Sequence, residues 1–433
     1  MNITPISNYH FNSYKLEQQN KPENTSEKNT EYNQNKKYIS YPANYYISFG
    51  NNLNISLIEQ MQKTKDKKKL IELFRKMPQE IQENCEQLVL RFEKEKLSLE
   101  DYIKSCIKQP SLFWQSPDKI ESNVWSVVNK FKKEGLSIKD YLSACIKQPS
   151  LFRRLPDTIE DNVKDLVKKF KNERLNSKDY LKACVKQPQL FYQSPDTIES
   201  NVRNLVKKFE NEGLNSKDYL KACIKQPPLF CLYPDTIENN VRNLVKKFEN
   251  EELNIKDFLR ACVKVPSLFG RSPDTIESNV RNLVKKFEKE GLNSKDYLKA
   301  CVKQPPLFCQ SPDTIAEHIN IMKFSNINSK SPLENNNFWE KILKYPIKLS
   351  FSSLTLLVKN LIIPKMFENT VIPKELKGNS SFVPKLKTYL ENHPDNIFEL
   401  NVKGTDKDIE VLRKCIDELC DGKNNPFTIN HIK

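Results

Sequence analysis

A 39-residue pattern of apolar and polar positions recurs through the middle of the chain. The string Pro-x-Leu-Phe returns every 39 residues, with its proline at Pro110, Pro149, Pro188, Pro227, Pro266 and Pro305. A second proline opens each unit, at Pro78, Pro117, Pro156, Pro195, Pro234, Pro273 and Pro312. Six full units span residues 78–311. A period of this length is typical of stacked supersecondary units with atypical ends.

Each unit opens with signals for a helix. In the unit that starts at Pro195, Ser194 is the expected N-cap, the proline holds the first helical position and Asp196 complements the helix dipole. One apolar stripe at helical spacing follows, formed by Ile198, Val202, Leu205, Val206 and Phe209. We expect the helix to end at Gly213 in the left-handed conformation. Three units place a non-glycine residue in this slot, at a cost of roughly 1 kcal/mol each: Lys96, Arg174 and Glu252.

A shorter second helix completes the unit. Asn215 is the expected N-cap, and the carboxylate of Asp218 is expected to accept from free backbone N–H groups. Four apolar residues are expected to face the core: Tyr219, Leu220, Cys223 and Ile224. Pro227 stops the helix, and the Leu-Phe pair after it fills the gap before the next unit. One unit cannot bury both stripes alone, so the sequence predicts an all-α helical-repeat solenoid.

The repeats are flanked by segments of different composition. Residues 1–52 are rich in Asn, Tyr, Lys, Gln and Ser without a period, which predicts a disordered tail. Residues 53–77 are expected to form an N-terminal capping helix, and residues 312–350 a degenerate capping repeat. Residues 351–433 predict a small C-terminal α+β domain. Its expected elements are a helix over 352–366, a strand over 397–402, a helix capped by Thr405 that ends near residue 419, and a strand over 427–432.

The cysteines and histidines give little support for catalysis. The 11 cysteines follow no zinc or disulfide spacing, which favours a reducing compartment. Six of them share one slot on the second helix: Cys106, Cys145, Cys184, Cys223, Cys262 and Cys301. Neighbouring thiols of this set would lie roughly 10 Å apart, which is too far for a disulfide. We therefore interpret them as small buried hydrophobes rather than as a metal or redox ladder.

The remaining chemistry is equally sparse. The four histidines lie outside the six full units, and no phosphate loop, zinc-protease motif or nucleophile elbow occurs. The longest apolar stretch, 349–363, is short and carries Lys359. We expect a protein that is not an enzyme, uses no cofactor or metal, does not span a membrane and is a monomer. The expected location is the cytoplasm or another reducing compartment, with secretion as an effector left open.

Basic residues recur in fixed slots. The net charge is +15, which favours an acidic partner, although a solvated basic face is the alternative. One second-helix slot is always lysine: Lys108, Lys147, Lys186, Lys225, Lys264 and Lys303. Four residues earlier lie Lys104, Lys182, Lys221, Arg260 and Lys299, with Ser143 as the exception. One first-helix slot contains Lys164, Arg203, Arg242 and Arg281, and another contains Lys168, Lys207, Lys246 and Lys285.

Two slots directly after Pro-x-Leu-Phe vary while the rest of the unit is nearly constant. The first contains Trp114, Arg153, Tyr192, Cys231, Gly270 and Cys309, and the second contains Gln115, Arg154, Gln193, Leu232, Arg271 and Gln310. Aromatic rings stack on bases, and Arg both stacks and forms bidentate hydrogen bonds. The variation predicts either a modular reader of bases or drift in an exposed loop. If bases are read, Trp114, Arg153, Arg154, Tyr192 and Arg271 are the expected contacts.

The unit resembles the repeat of the mitochondrial transcription termination factor (mTERF) family. The resemblance is carried by Gly-Leu-Asn-Ser-Lys-Asp-Tyr-Leu-Lys-Ala-Cys-Val-Lys-Gln-Pro-x-Leu-Phe-x-x-Ser-Pro-Asp-Thr-Ile at 291–315, and it covers roughly residues 78–346. Two features differ: the first helix is about one turn longer here, and the copies are more alike. The resemblance implies a helical superhelix that binds nucleic acid. A protein-binding scaffold or effector-like repeat protein is the alternative function.

Overall fold

The computed structural model describes residues 52–378, 381–422 and 425–432. The predicted disordered tail, 1–52, lies outside these residues except for Asn52. Residues 55–433 form one compact unit. The chain enters it through two helices, α1 (Asn52–Lys63) and α2 (Lys67–Phe74), where the sequence predicted a single capping helix. A three-residue break separates them, and the Asp66 side chain caps α2 by accepting from the Lys69 amide at 3.0 Å.

The repeats are helix pairs. The first helices are α3 (Gln79–Arg91), α5 (Pro117–Lys130), α7 (Pro156–Lys169), α9 (Pro195–Lys208), α11 (Pro234–Lys247), α13 (Pro273–Phe287) and α15 (Pro312–Ile327). The second helices are α4 (Leu99–Lys108), α6 (Ile138–Lys147), α8 (Ser177–Lys186), α10 (Ser216–Lys225), α12 (Ile255–Lys264), α14 (Ser294–Lys303) and α16 (Asn335–Lys344). A short 3₁₀ turn over the Pro-x-Leu-Phe string follows each second helix except α16, which Pro346–Ser350 follows in the same way.

Helices of the same kind stack on one another. Each first helix packs on the next first helix, and each second helix packs on the next second helix, while the two helices of each of the six full units also contact each other. The result is a two-layer helical solenoid with a continuous apolar core between the layers. This confirms the predicted fold class.

The first helix ends earlier than predicted. Helix α9 stops at Lys208, and Phe209 to Gly213 form turns, in which the Leu214 amide donates to the Phe209 carbonyl at 3.1 Å. Gly213 has the predicted left-handed φ of +87°. The three non-glycine residues in this slot also adopt positive φ: Lys96 at 64°, Arg174 at 66° and Glu252 at 65°. Ser194 takes the N-cap position but makes no side-chain capping hydrogen bond.

The N-cap of the second helix is Asn215, as predicted, but the hydrogen-bond partner of the Asp218 carboxylate differs from the prediction. Asn215 Oδ1 accepts from the Asp218 backbone N–H at 2.9 Å. The Asn215 side-chain amide then donates to the Asp218 carboxylate, also at 2.9 Å. The carboxylate therefore binds the cap residue's side chain rather than the free backbone N–H groups that the sequence suggested. The two hydrogen bonds hold Asn215 in its extended conformation.

The core contains an aromatic contact between units. The Tyr219 ring packs edge-on against Phe269 of the next unit, with ring centroids 5.4 Å apart. The Tyr219 hydroxyl also donates to the Leu229 carbonyl of its own unit at 3.2 Å. The same edge-on pair joins Tyr102 to Phe152, Tyr141 to Phe191, Tyr180 to Phe230 and Phe258 to Phe308. All six repeat cysteines are fully buried in this core, which confirms them as small hydrophobes.

The C-terminal segment covers the last repeat. Ser352 caps a continuous helical stretch of α17 (Ser353–Leu357), a π-helical turn (Val358–Ile362) and α18 (Ile363–Met366). Helix α19 (Phe382–Asn392), which the sequence did not predict, is followed by β1 (Phe398–Lys403), α20 (Asp406–Cys420) and β2 (Phe427–Ile432). The two strands pair in parallel. Helix α17 packs on α15, and Asn328 after α15 exchanges two hydrogen bonds with the Lys403 backbone at 2.7 Å.

Backbone strain at the positive-φ slot of Gly213 and Arg174 should affect the stability of the protein. Replacing Arg174 with Gly removes the Cβ that makes φ of 66° unfavourable, so we expect the unfolding free energy to rise by about 1 kcal/mol. Gly213→Ala imposes the same strain in the neighbouring unit and should lower it by a similar amount. Urea unfolding of both variants measures the effect. Arg174→Ala, which removes the side chain but keeps the strain, should show no gain; a gain as large as that of Arg174→Gly would show that backbone strain is not the cause.

Candidate nucleic-acid interface

The first-helix layer is held together by ion pairs between neighbouring units. Lys208, the last residue of α9, contacts Asp235 at 3.0 Å and Glu238 at 2.6 Å, both at the start of α11. The same inter-unit clamp, one basic residue against an Asp and a Glu of the next unit, is formed by Arg91, Lys130, Lys169 and Lys247. The Asp that follows the opening proline from Pro117 onward therefore pairs with the preceding unit as well as complementing the helix dipole.

The predicted first-helix binding residues take part in the same interface. Arg242 donates from Nε to Glu238 at 2.8 Å and from Nη2 to the Lys208 carbonyl at 3.1 Å. Its guanidinium also lies 5.1 Å from the centre of the Phe209 ring. Arg203 and Arg281 repeat all three contacts, whereas Lys164 pairs only with Glu160. These side chains join one unit to the next, a role that the sequence analysis did not assign.

The clamp carboxylates are stabilised in their charged form. Hydrogen bonds from Lys208 and then Arg242 lower the pKa of Glu238, and the equivalent Lys and Arg lower the pKa of Glu199 and Glu277. Glu160 is lowered in the same way by Lys130 and Lys164. Most positive charge at these slots is thus neutralised by neighbouring acids, which leaves little of it for a ligand.

The second-helix lysines have the opposite environment. Lys108, Lys147, Lys186, Lys225, Lys264 and Lys303, here named the second-helix lysine row, are all exposed. Across the described ranges none of the six takes part in an ion pair or a side-chain hydrogen bond. The residues four positions earlier are less available, because Lys182, Lys221 and Arg260 each lie within 4.0 Å of an Asp on their own helix. The row is therefore less compensated by neighbouring acids than the first-helix slot that contains Arg203, Arg242 and Arg281.

A third basic slot extends this surface and was missed by the sequence analysis. This slot lies four residues before that of Lys182, and it contains Lys178, Lys217, Lys256 and Lys295. Each of the second helices α8, α10, α12 and α14 therefore has three basic residues at a spacing of four along one face. Lys217, Lys221 and Lys225 line one side of a shallow groove between α8 and α10, with Arg174 in its wall. Glu173 and Asp179 also line this groove. The repeated spacing of four was the available sequence signal.

Residues of the variable slots contact neighbouring units. Arg153 donates to the Ser111 hydroxyl of the preceding unit, and the Arg154 guanidinium lies 4.9 Å from the centre of the Tyr192 ring. The Cys231 thiol donates to the Gln193 side chain at 2.9 Å. The variation therefore falls on residues with neighbours in the next unit, and paired changes in size or charge are one physical reason for it.

Exposure separates the predicted base-stacking residues. Trp114 is 45% exposed, whereas Tyr192 is half-buried, and burial raises the pKa of its hydroxyl. The most exposed aromatic side chain beside these turns is Tyr233, which is 74% exposed. It occupies the slot before the opening proline, where Leu155 is also exposed, Met77 is buried and the remaining units have serine. Neither Tyr233 nor Leu155 was predicted from the sequence, although their departure from the serine of most units was the signal.

No metal-binding cluster accompanies this surface in the part of the chain that the structure describes. It contains no group of three or more His, Cys, Asp and Glu residues suited to a metal ion. His318 Nδ1 lies 2.7 Å from the Leu349 carbonyl, and His431 Nε2 lies 2.9 Å from the Gly404 carbonyl, so both contact the backbone of the fold. Among the described helices, none is long and apolar enough to cross a bilayer.

Comparison with known proteins gives no assignment. No protein-family model matches this chain, and no curated protein matches it either. Function must therefore be inferred from the chemistry of the chain's own residues, in which the inter-unit clamps and the second-helix lysine row are the repeated polar features.

The clamps predict a loss of stability in acid. A carboxyl whose pKa is lowered by folding stabilises the folded state above its unfolded pKa of about 4.3, and this contribution is lost as the pH falls through the folded pKa. We expect the temperature or urea concentration at the midpoint of unfolding to decrease as the pH is lowered from about 6 to about 3. The triple variant Glu199→Gln, Glu238→Gln, Glu277→Gln should be less stable at pH 6 and should lose less on acidification.

The matched control removes three exposed glutamates of the same units that form no ion pair within the described residues: Glu210→Gln, Glu249→Gln, Glu288→Gln. Thermal or urea unfolding across the pH range should leave the control parallel to the parent protein. If both triple variants show the same flattening, the clamps are not the source of the pH dependence.

Proposed function

We propose that this protein binds nucleic acid through the surface of its second-helix layer. The observation that carries the proposal is the second-helix lysine row, six exposed lysines without an acidic partner within the described residues. Phosphate groups are the ligands that a regular line of ammonium groups suits, because each contact releases a condensed counterion. The resemblance to mTERF repeats supports the same class of partner.

Charge pairing separates the second-helix lysine row from the arginine slot of the first helices. Arg203, Arg242 and Arg281 are paired with carboxylates of their own and the preceding unit. A ligand phosphate would have to replace those carboxylates, whereas lysines of the second-helix row need lose only water. We therefore leave the four first-helix slot residues, Lys164 included, out of the proposed interface.

The repeat spacing limits how the ligand is contacted. Packed helices lie about 8–10 Å apart, while bases along one strand of a duplex advance by about 3.4 Å. One unit therefore passes about three base pairs of regular duplex, or one or two nucleotides of an extended single strand. In neither case does one unit face one duplex base pair. The lysine row is suited to following a backbone, and a one-base code on duplex DNA does not fit it.

A triple substitution in the row tests the proposal. Lys186→Gln, Lys225→Gln, Lys264→Gln should weaken binding to nucleic acid and should lower the log–log salt slope by about 0.7 to 0.9 for each lost phosphate contact. The matched control is Lys168→Gln, Lys207→Gln, Lys246→Gln, which removes the same charge from exposed lysines on the first helices of the same three units. Fluorescence anisotropy at several salt concentrations, on duplex and single-stranded ligands, measures both quantities.

Two outcomes would contradict the assignment. Equal losses in the two triple variants would mean that binding depends on total charge and not on the second-helix surface. Absence of binding by the parent protein at low salt would favour the alternative of a protein-binding scaffold, whose affinity should depend less on ionic strength.

Exposure predicts which variable residue contacts bases. Trp114→Ala should weaken binding to single strands by about 1 to 3 kcal/mol, the usual contribution of one stacked base. Tyr192→Ala should cost less, because Arg154 already lies over the ring. Both substitutions should leave the helical content unchanged, since Phe113 and Phe191 remain buried. Equal and negligible effects on affinity would indicate that the variable slots do not read bases.

A further inference from the structure

The last repeat departs from the others at two core positions. Alignment on its proline places Lys341 of α16 in the slot of Ala300 and Lys348 in the slot of Leu307. In the six full units the leucine slot is at most 2% exposed: Leu112, Leu151, Leu190, Leu229, Leu268 and Leu307. The alanine slot is equally buried, with Ser105 as its only variant. Two lysines therefore replace two apolar residues at the end of the solenoid, where no further second helix follows.

These lysines line a pocket beside the last repeat. Its volume is about 380 Å³, at the lower end of the range for small-ligand sites. Lys330, Lys341 and Lys348 line it together with polar residues that include Ser329, Ser331 and Asn360, while Phe338 and Ile342 form part of its apolar wall. No Asp or Glu is among the residues that line it. The pocket is thus positively charged on a partly apolar base.

Several donors in the pocket lack a protein partner. Lys330 donates to the Glu368 carbonyl, but Lys341, Lys348 and the Asn360 amide make no ion pair or side-chain hydrogen bond in the described part of the chain. Lys348 is half-buried, and its pKa is lowered by burial and by the nearby charges of Lys341 and Lys359. A buried ammonium group beside like charges is costly unless an anion compensates it.

The backbone at the pocket is also irregular. Asn360 lies in the π-helical turn Val358–Ile362, between α17 and α18. Such turns are rare and are found frequently at functional sites, because the extra residue changes the direction of nearby side chains. Here the turn places an amide donor beside the lysines.

We propose that this pocket binds the phosphate of a phosphate monoester. Two unpaired ammonium groups, an unpaired amide and two serine hydroxyls provide the charge and the hydrogen-bond donors that such a group requires. The phosphate is carried either by a small molecule, such as a nucleotide, or by the terminal nucleotide of a strand. The site is separate from the second-helix lysine row, and a small phosphate compound would bind whether or not that row binds nucleic acid.

The test uses the full chain and a variant that restores the repeat consensus. Lys341→Ala with Lys348→Leu gives the last unit the residues of the other units, so the variant is expected to fold, and circular dichroism checks this. A second variant, Lys341→Gln with Lys348→Gln, keeps the side-chain size. The control is Lys207→Ala with Lys246→Leu, which removes two exposed, unpaired lysines from the first-helix layer.

Two binding measurements separate the sources of the phosphate. Calorimetry with inorganic phosphate and with a nucleoside 5′-monophosphate tests the small-molecule source. Anisotropy with one oligonucleotide, carrying either a phosphate or a hydroxyl at its 5′ end or its 3′ end, tests the strand end. We expect the parent and the control to bind at least one phosphate-bearing probe about tenfold more tightly than both pocket variants.

Each result decides the proposal. Loss confined to the small probes assigns a free phosphate compound, and loss of the preference for a phosphorylated end assigns a strand terminus. The proposal is overturned if the parent binds no small probe at millimolar concentration and shows no preference for a phosphorylated end. It is also overturned if the pocket variants bind as the parent does, or if the control loses as much as they do.

Discussion

The structure depends on burial between units. Each unit has one apolar stripe on its first helix and another on its second, and neither is covered without the neighbouring unit. The edge-on contact between Tyr219 and Phe269 shows how this is achieved, because the tyrosine comes from one unit and the phenylalanine from the next. The buried tyrosine hydroxyl is satisfied within its own unit, so the interface carries no cost from that group.

The charged residues of the first helices add direction to that apolar contact. Lys208 reaches two acids at the start of α11, and Arg242 reaches back to the Lys208 carbonyl and to the ring of Phe209. Each pair is partly exposed and contributes modestly to stability. Their hydrogen bonds nevertheless fix which turn of one helix faces which turn of the next. The apolar core supplies the stability of the solenoid, and these ion pairs define the register of its units.

Much of the fold follows from local sequence. The opening proline, the apolar spacing and the Asn-x-x-Asp cap predict both helices of a unit, and Thr405 correctly predicts the start of α20. The predicted end of the first helix was wrong by about one turn. Phe209 leaves the helix, and its carbonyl accepts from the Leu214 amide. That exchange is set by packing and has no signal in residue spacing. Helix α19 was missed because a single short helix without a repeat gives a weak pattern.

The candidate site was harder to predict than the fold. The sequence correctly grouped the basic residues by slot, but it treated the first-helix arginine slot and the second-helix lysine slot alike. Their difference depends in part on acids about 30 residues away, such as Glu212 beside Arg242, which become neighbours only through stacking. Lys348 shows the same limit, since its departure from the leucine slot is visible only once the degenerate last unit is aligned on Pro346.

The near identity of the clamps has a consequence for how such a chain can change length. The face that α7 presents to α9 carries the same Lys, Asp and Glu contacts as the face that α11 presents to α13. A deletion or duplication of one whole unit therefore joins surfaces that already fit, without any compensating substitution. Unequal recombination between the copies then adds or removes complete units of the solenoid. The distinct segments at the two ends continue to cover the apolar core of the terminal units. The number of units becomes a quantity that selection adjusts separately from the sequence of any one of them.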